Sequence, residues 1–151
     1  MTLNTAQKSF FMQAALAESR LALPHCLPNP PVGCIIVREG KIVAKAYTLP
    51  PGQPHAEASA LAKIEGDLSD CEVFVTLEPC SFQGRTPSCA KSLVPRKPKV
   101  VHIAILDPDP RNQGRGIEIM REGGLDVRVG LLAEQVQSFL EPYLNLTENQ
   151  I

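Results

Sequence analysis

Apolar residues follow three rhythms along the chain, and the changes of rhythm mark its elements. Phe10, Phe11, Ala14, Ala15 and Leu16 fall near helical spacing, which predicts a helix over residues 5–23 that Thr5 caps and Pro24 ends. Pro28-Asn29-Pro30-Pro31 follows. A residue before proline is pushed out of the helical region, so this stretch reads as a rigid extended connector. Residues 32–37 are an almost unbroken apolar run, as suits a strand covered on both faces. Glu39-Gly40 reads as a tight turn and residues 41–47 alternate, so the two runs predict an antiparallel hairpin.

Past the loop Pro50-Pro51-Gly52-Gln53-Pro54, His55 opens a predicted helix running through Ile64, with Gly66 as its stop. Residues 72–77 predict a third strand that leads straight into Glu78-Pro79-Cys80. After a polar loop, Thr86-Pro87 reads as an N-cap with proline at the first helical position, opening a helix that carries Cys89, Ala90, Leu93 and Val94. A strand over 100–106, the turn Asp107-Pro108-Asp109-Pro110, a short helix over 116–122, a strand over 126–129 and a last helix over 131–144 complete the pattern. Helix, hairpin, then alternating helix and strand predicts an α/β fold: a three-layer α/β/α arrangement around a five-stranded mixed sheet. The strands after the hairpin are expected to be parallel, with helices on both faces. With 151 residues and neither repeat nor linker, residues 1–151 read as one domain.

Charge and cysteine content narrow the function classes. Fifteen basic and 16 acidic residues leave a net charge of −1, which offers no footprint for nucleic acid or a membrane surface. No apolar run reaches membrane-spanning length, and Met1-Thr2-Leu3-Asn4 lacks the basic and apolar regions of a secretory leader. Five cysteines, an odd number without an export signal, point to reduced thiols in the cytoplasm rather than to a disulfide framework. Cys26, Cys34 and Cys71 read as small buried hydrophobes.

The remaining cysteines belong to a different pattern. His55-Ala56-Glu57, Pro79-Cys80 and Cys89 supply an imidazole and two thiols, the ligands of a catalytic zinc site that keeps a fourth position for water. His55 and Glu57 fall in the first turn of one predicted helix and Cys89 at the start of another, and both helix starts favour thiolate over thiol. Glu57, a non-ligand, is placed to move protons. The first half of the zinc deaminase pattern H-x-E…P-C-x-x-C is intact. The second half departs, because eight residues rather than two separate Cys80 from Cys89.

With these residues in hand, the chain resembles the deaminase domain of the RibD-type riboflavin biosynthesis enzymes, within the cytidine deaminase superfamily. The resemblance runs from about Phe11 to Leu144. It rests on Asn29-Pro30-Pro31-Val32-Gly33-Cys34, on His55-Ala56-Glu57, on Thr76-Leu77-Glu78-Pro79-Cys80-Ser81 through Gly84-Arg85-Thr86-Pro87 to Cys89, and on Asp107-Pro108-Asp109-Pro110 with Gly114 and Gly116. The longer cysteine spacing is normal in that family. The resemblance implies a Zn2+-dependent hydrolytic deaminase whose small-molecule substrate is a diaminopyrimidinone carrying a ribosylamino 5′-phosphate. It implies His55, Cys80 and Cys89 as metal ligands, Glu57 as proton shuttle, Asn29 as a contact to the ring, and Arg85 and Asp107 as contacts on the ribose-phosphate side. It also implies a homo-oligomer.

Three departures qualify it. Phe82 stands where the family usually has histidine, which removes one polar substrate contact, and Asp109 stands where it usually has asparagine. Bacterial members are commonly fused to a reductase; here a single deaminase domain is expected, with the reduction supplied by another protein. A carboxylate about 5 Å from a phosphate charge costs on the order of 3 kcal/mol at an effective dielectric near 20, about a hundredfold in affinity. Arg85, Arg111 or Arg115 could offset that, or Asp109 is a turn residue facing solvent. Two other readings accordingly stand beside the leading one: a deaminase of another pyrimidine or purine without a phosphate, and a non-catalytic zinc-binding partner protein.

Overall fold

The computed structural model describes residues 2–84 and 86–144. Its elements are α1 (Thr5–Arg20), β1 (Gly33–Arg38), β2 (Lys41–Tyr47), α2 (Ala56–Leu61), β3 (Cys71–Leu77), α3 (Cys89–Leu93), β4 (Val100–Ile105), α4 (Arg115–Glu122), β5 (Val127–Val129) and α5 (Ala133–Leu140). The five strands form one sheet in the order β2-β1-β3-β4-β5. β1 is antiparallel to both β2 and β3, whereas β3, β4 and β5 run parallel. This is the expected mixed sheet, with parallel strands after the hairpin.

The central strands are apolar because both of their faces are covered. Every residue of β3 and β4 is buried, as are the first five of β1. Helix α1 lies on β1 so closely that a Cβ at Gly33 would come within 1.9 Å of the Ala15 carbonyl oxygen. Phe11 of α1 packs against Phe74 of β3, with ring centroids 5.6 Å apart. Arg20 at the end of α1 sits over Phe139 of α5, which places α1 and α5 together. Helices α2, α3 and α4 pack in succession elsewhere on the sheet. No helix among the described residues is long and apolar enough to cross a membrane.

Several ends differ from the pattern-based expectation. Asn4, not Thr5, caps α1: its side chain accepts from the Gln7 backbone N–H while the Gln7 side chain accepts from that of Asn4, a reciprocal box. The helix tightens after Arg20 into turns in which Leu21, Ala22 and Leu23 bond carbonyls three residues back. Helix α2 stops at Leu61 rather than near Ile64, because the Arg96 guanidinium takes the carbonyls of Leu61, Ile64 and Gly66. Helix α3 begins at Cys89 with Ser88 as its cap, the Ser88 hydroxyl accepting from Lys91 N–H at 3.2 Å; Thr86 is thereby left for another task. Helix α5 ends at Leu140, and Pro142 sits in a 3-10 turn over Glu141–Tyr143.

Candidate active site

The parallel strands β3 and β4 end at the same edge of the sheet where β1 begins. Three loops therefore converge there: the proline connector before β1, the segment after β3 and the turn after β4. The connector is pinned from both sides, since Val32 N–H donates to Thr48 Oγ1 at 2.9 Å and Gly33 N–H to Thr76 Oγ1 at 3.2 Å. The start of α2, with His55 at its N-cap position, completes the wall.

His55, Cys80 and Cys89 meet at this place, their ligand atoms all within 4.8 Å of one another. His55 Nδ1 lies 3.8 Å from Cys80 Sγ and 3.6 Å from Cys89 Sγ. A tetrahedral zinc with ordinary Zn–N and Zn–S bonds sets its nitrogen and sulfur ligands about 3.6 Å apart. One borderline nitrogen and two soft sulfurs at this spacing therefore fit a zinc ion. His55 Nε2, on the other side of the ring, lies 3.1 Å from Thr86 Oγ1.

The thiols are electronically unequal. The hydrogen bond from the Cys89 thiol, with His55 and the Cys89 backbone N–H at 3.2 Å, holds Cys80 down at about 4. The same hydrogen bond and burial raise Cys89. Cys80 is thus the readier thiolate, and Cys89 would give up its proton to a cation held between the sulfurs. Glu57, one residue into α2, is 4% exposed. Burial and the neighbouring Cys80 push its carboxyl up to about 7 against the pull of His55, so it can both take and return a proton near neutral pH. Cys26, Cys34 and Cys71 are buried and unpaired by disulfides, as their sequence context suggested. Cys34 lies near enough to Glu57 for that charge to help burial raise its thiol.

Two adjoining cavities, of about 160 and about 490 Å³, share Asn29, His55, Cys80, Phe82 and Arg111 as lining. The smaller also reaches Glu57, Leu77, Asp107 and Asp109. A larger hollow of about 590 Å³, lined by Phe10, Phe11 and Ile42 between α1 and β2, holds no metal-ligating cluster among the described residues. The expected site residues thus gather at one place, with Arg85 alone lying outside the described residues. Asp107 lines the cavity, yet its Oδ1 accepts from Asp109 N–H at 2.9 Å and its Oδ2 from Asn112 Nδ2 at 3.3 Å. Asp109 does not face the cavity as a bare charge, because Arg111 grips both of its oxygens.

The frame behind these residues is less visible in the sequence. Glu78, buried, accepts at Oε1 from Asp107 N–H (3.1 Å) and Gly114 N–H (3.0 Å), and at Oε2 from Ile117 N–H (3.2 Å). One carboxylate thereby fixes the turn after β4 and caps α4, which has no cap of its own. Asn112, fully buried, donates to the Pro79 carbonyl and accepts from Ser81 N–H. A Cβ at Gly116 would lie 2.0 Å from the Pro79 oxygen, so α4 rests directly on the segment that carries Cys80.

The match to protein families agrees with this architecture. Residues 5–105 match the family described as the cytidine and deoxycytidylate deaminase zinc-binding region, and the chain belongs to that family. Within it, the chain is 40% identical over 148 residues to riboflavin biosynthesis protein RibD of Chlamydia muridarum, an alignment covering 98% of this chain and 40% of that protein. Among solved structures it is similar to Acinetobacter baumannii RibD, with TM-score 0.88 and 34% identity over 93% of this chain and 39% of that one. A Thermotoga maritima diaminohydroxyphosphoribosylaminopyrimidine deaminase/5-amino-6-(5-phosphoribosylamino)uracil reductase gives TM-score 0.85 and 35% identity over 92% and 40%. The chain spans about 40% of the length of these relatives. The RibD-type resemblance and the cytidine deaminase fold both hold.

Proposed function

We propose that this chain is a zinc-dependent hydrolytic deaminase acting on a diaminopyrimidinone that carries a ribosylamino 5′-phosphate. The observation that carries the reading is the buried Glu57 carboxyl opening into the same cavity as His55 and Cys80, with Cys89 completing a zinc-compatible donor set. The RibD relatives supply the substrate class.

In the balanced reaction, a water oxygen replaces the amino nitrogen on the ring carbon and the nitrogen leaves as ammonia. His55 Nδ1, Cys80 Sγ and Cys89 Sγ would hold the zinc ion, which when bound supplies Lewis acidity that lowers the pKa of water. Glu57 takes a proton from that water and delivers it to the departing nitrogen, a task suited to a buried carboxyl that opens on the same cavity as the ligands. Asn29 holds the ring edge from the pinned connector, and the buried walls Val32 and Leu77 keep bulk water away from its faces.

The test is ammonia release by the zinc-loaded protein from the phosphorylated diaminopyrimidinone. Glu57→Gln should lower kcat at least about a hundredfold while zinc still binds one to one. Ammonia release that survives in Glu57→Gln would remove the proton-shuttle role. Zinc binding with no ammonia release by the wild type would leave the chain a zinc-binding partner protein instead.

A further inference from the structure

Phe82 and Asp109, the two departures from the family pattern, do not act separately: Arg111 joins them. Its guanidinium carbon lies 4.7 Å above the Phe82 ring centroid. Its Nε reaches Asp109 Oδ1 and Oδ2 at 3.1 and 3.2 Å, and its Nη2 reaches Oδ2 at 2.7 Å. The Asp109 carboxylate also accepts from the Arg111 backbone N–H at 2.9 Å. All three residues line the cavity that holds His55 and Glu57.

From this geometry we infer that Arg111 is a specificity-determining residue that takes the anionic, phosphate end of the substrate, and that Asp109 and Phe82 position it. The inference rests on the deaminase reading above and deepens it. Asp109 spends both oxygens on Arg111, so its charge is neutralised within the loop instead of repelling a phosphate. The arginine keeps Nη1 without a partner among the described residues, and its side chain is 72% exposed at the cavity mouth. A guanidinium held between a carboxylate and an aromatic face loses little further freedom on meeting an oxyanion, and its fork matches phosphate geometry. The anchoring continues inward, since Asp109 N–H donates to Asp107, whose own N–H is held by Glu78. A histidine at position 82 would supply a polar contact of its own; here the ring supports the arginine instead.

The experiment compares kcat/KM for the phosphorylated diaminopyrimidinone with that for its dephosphorylated form, using zinc-loaded wild type, Arg111→Ala, Arg111→Lys and Asp109→Asn. Arg111→Ala should lower the ratio of the two values about tenfold to a hundredfold, as expected for losing a charge-assisted contact. Arg111→Lys, a point charge without the fork, should fall between. Asp109→Asn should lower the ratio by releasing the arginine; a rise would mean that Asp109 repels the phosphate directly and would overturn its positioning role. An unchanged ratio in Arg111→Ala overturns the inference. If the wild type deaminates neither compound, the deaminase reading fails, and calorimetric titration with ribose 5-phosphate still decides: binding lost in Arg111→Ala upholds the anion site. Binding unaffected by the substitution, or absent in the wild type, refutes it. Unchanged zinc content and melting temperature in each variant show that the fold is intact.

Discussion

Thr86 Oγ1 lies 3.1 Å from His55 Nε2, on the side of the imidazole opposite the two cysteines. With Nδ1 serving as a metal ligand, Nε2 would carry the proton and donate it to the hydroxyl, which would fix both the tautomer and the ring plane. Thr86→Val keeps the shape and removes the acceptor. It should weaken zinc binding about 10- to 100-fold, and Thr86→Ser should restore most of the loss. Competition against a chromophoric chelator measures both, and an unaltered affinity in the valine variant would contradict the role.

Glu78 carries three backbone N–H groups on one buried carboxylate. Replacing it with alanine leaves those donors unsatisfied, at a cost of at least about 2 kcal/mol. Glu78→Gln should be milder but still destabilising, because its NH2 group would turn a donor toward Ile117 N–H or toward the pair at Oε1. Urea unfolding with a constant m-value checks the order alanine, glutamine, wild type.

Gly116 allows α4 to touch the Pro79 carbonyl. The methyl group of Gly116→Ala has no place to go without moving the backbone next to Cys80, so the substitution should cost about 1–3 kcal/mol. It should also weaken zinc binding. A variant with lowered stability and normal zinc affinity would show that the contact is packing alone.

His102 and Glu72 form a buried pair on β4 and β3, 2.7 Å apart, with the imidazole stacked on Phe74. Burial lowers the histidine, with Lys8 and Arg128 pushing the same way against Glu72. In the unfolded chain the imidazole titrates near 6.5. As pH falls through that value, the unfolded state takes up a proton that the folded state refuses, so stability present above about 6.5 is lost on acidification. Metal-free wild type should therefore lose more stability between pH 7.5 and 5.5 than His102→Gln does. Equal losses in paired urea titrations would sink the assignment.

What the sequence discloses here is what local pattern encodes. Residues 32–37 and 72–77 read as strands because both faces of β1 and β3 are covered, leaving no room for polar interruptions. His55, Glu57, Cys80 and Cys89 stand out because their chemistry admits few substitutes. Contacts made across the fold leave no such trace. The guanidinium that ends α2 comes from Arg96, 35 residues beyond Leu61. Thr86 looks like a helix cap from its neighbour Pro87 alone, and only the folded loop shows its hydroxyl against His55 and Ser88 as the cap. Nothing in their local sequence marks Asn112 and Glu78 as the buried posts between two loops. Asp109 reads in the sequence as a bare carboxylate, and only the folded loop shows it paired with Arg111.

The amides of Gly114 and Ile117 end on Glu78, two residues before Cys80. Deuterium exchanges into those amides when their hydrogen bonds to Glu78 open. Their exchange rates therefore act as a clock for opening of the metal pocket, readable from residues that touch neither metal nor substrate. A zinc ion or a bound ring that closes the pocket should slow that clock, while amides near Leu140, on α5, keep their own time.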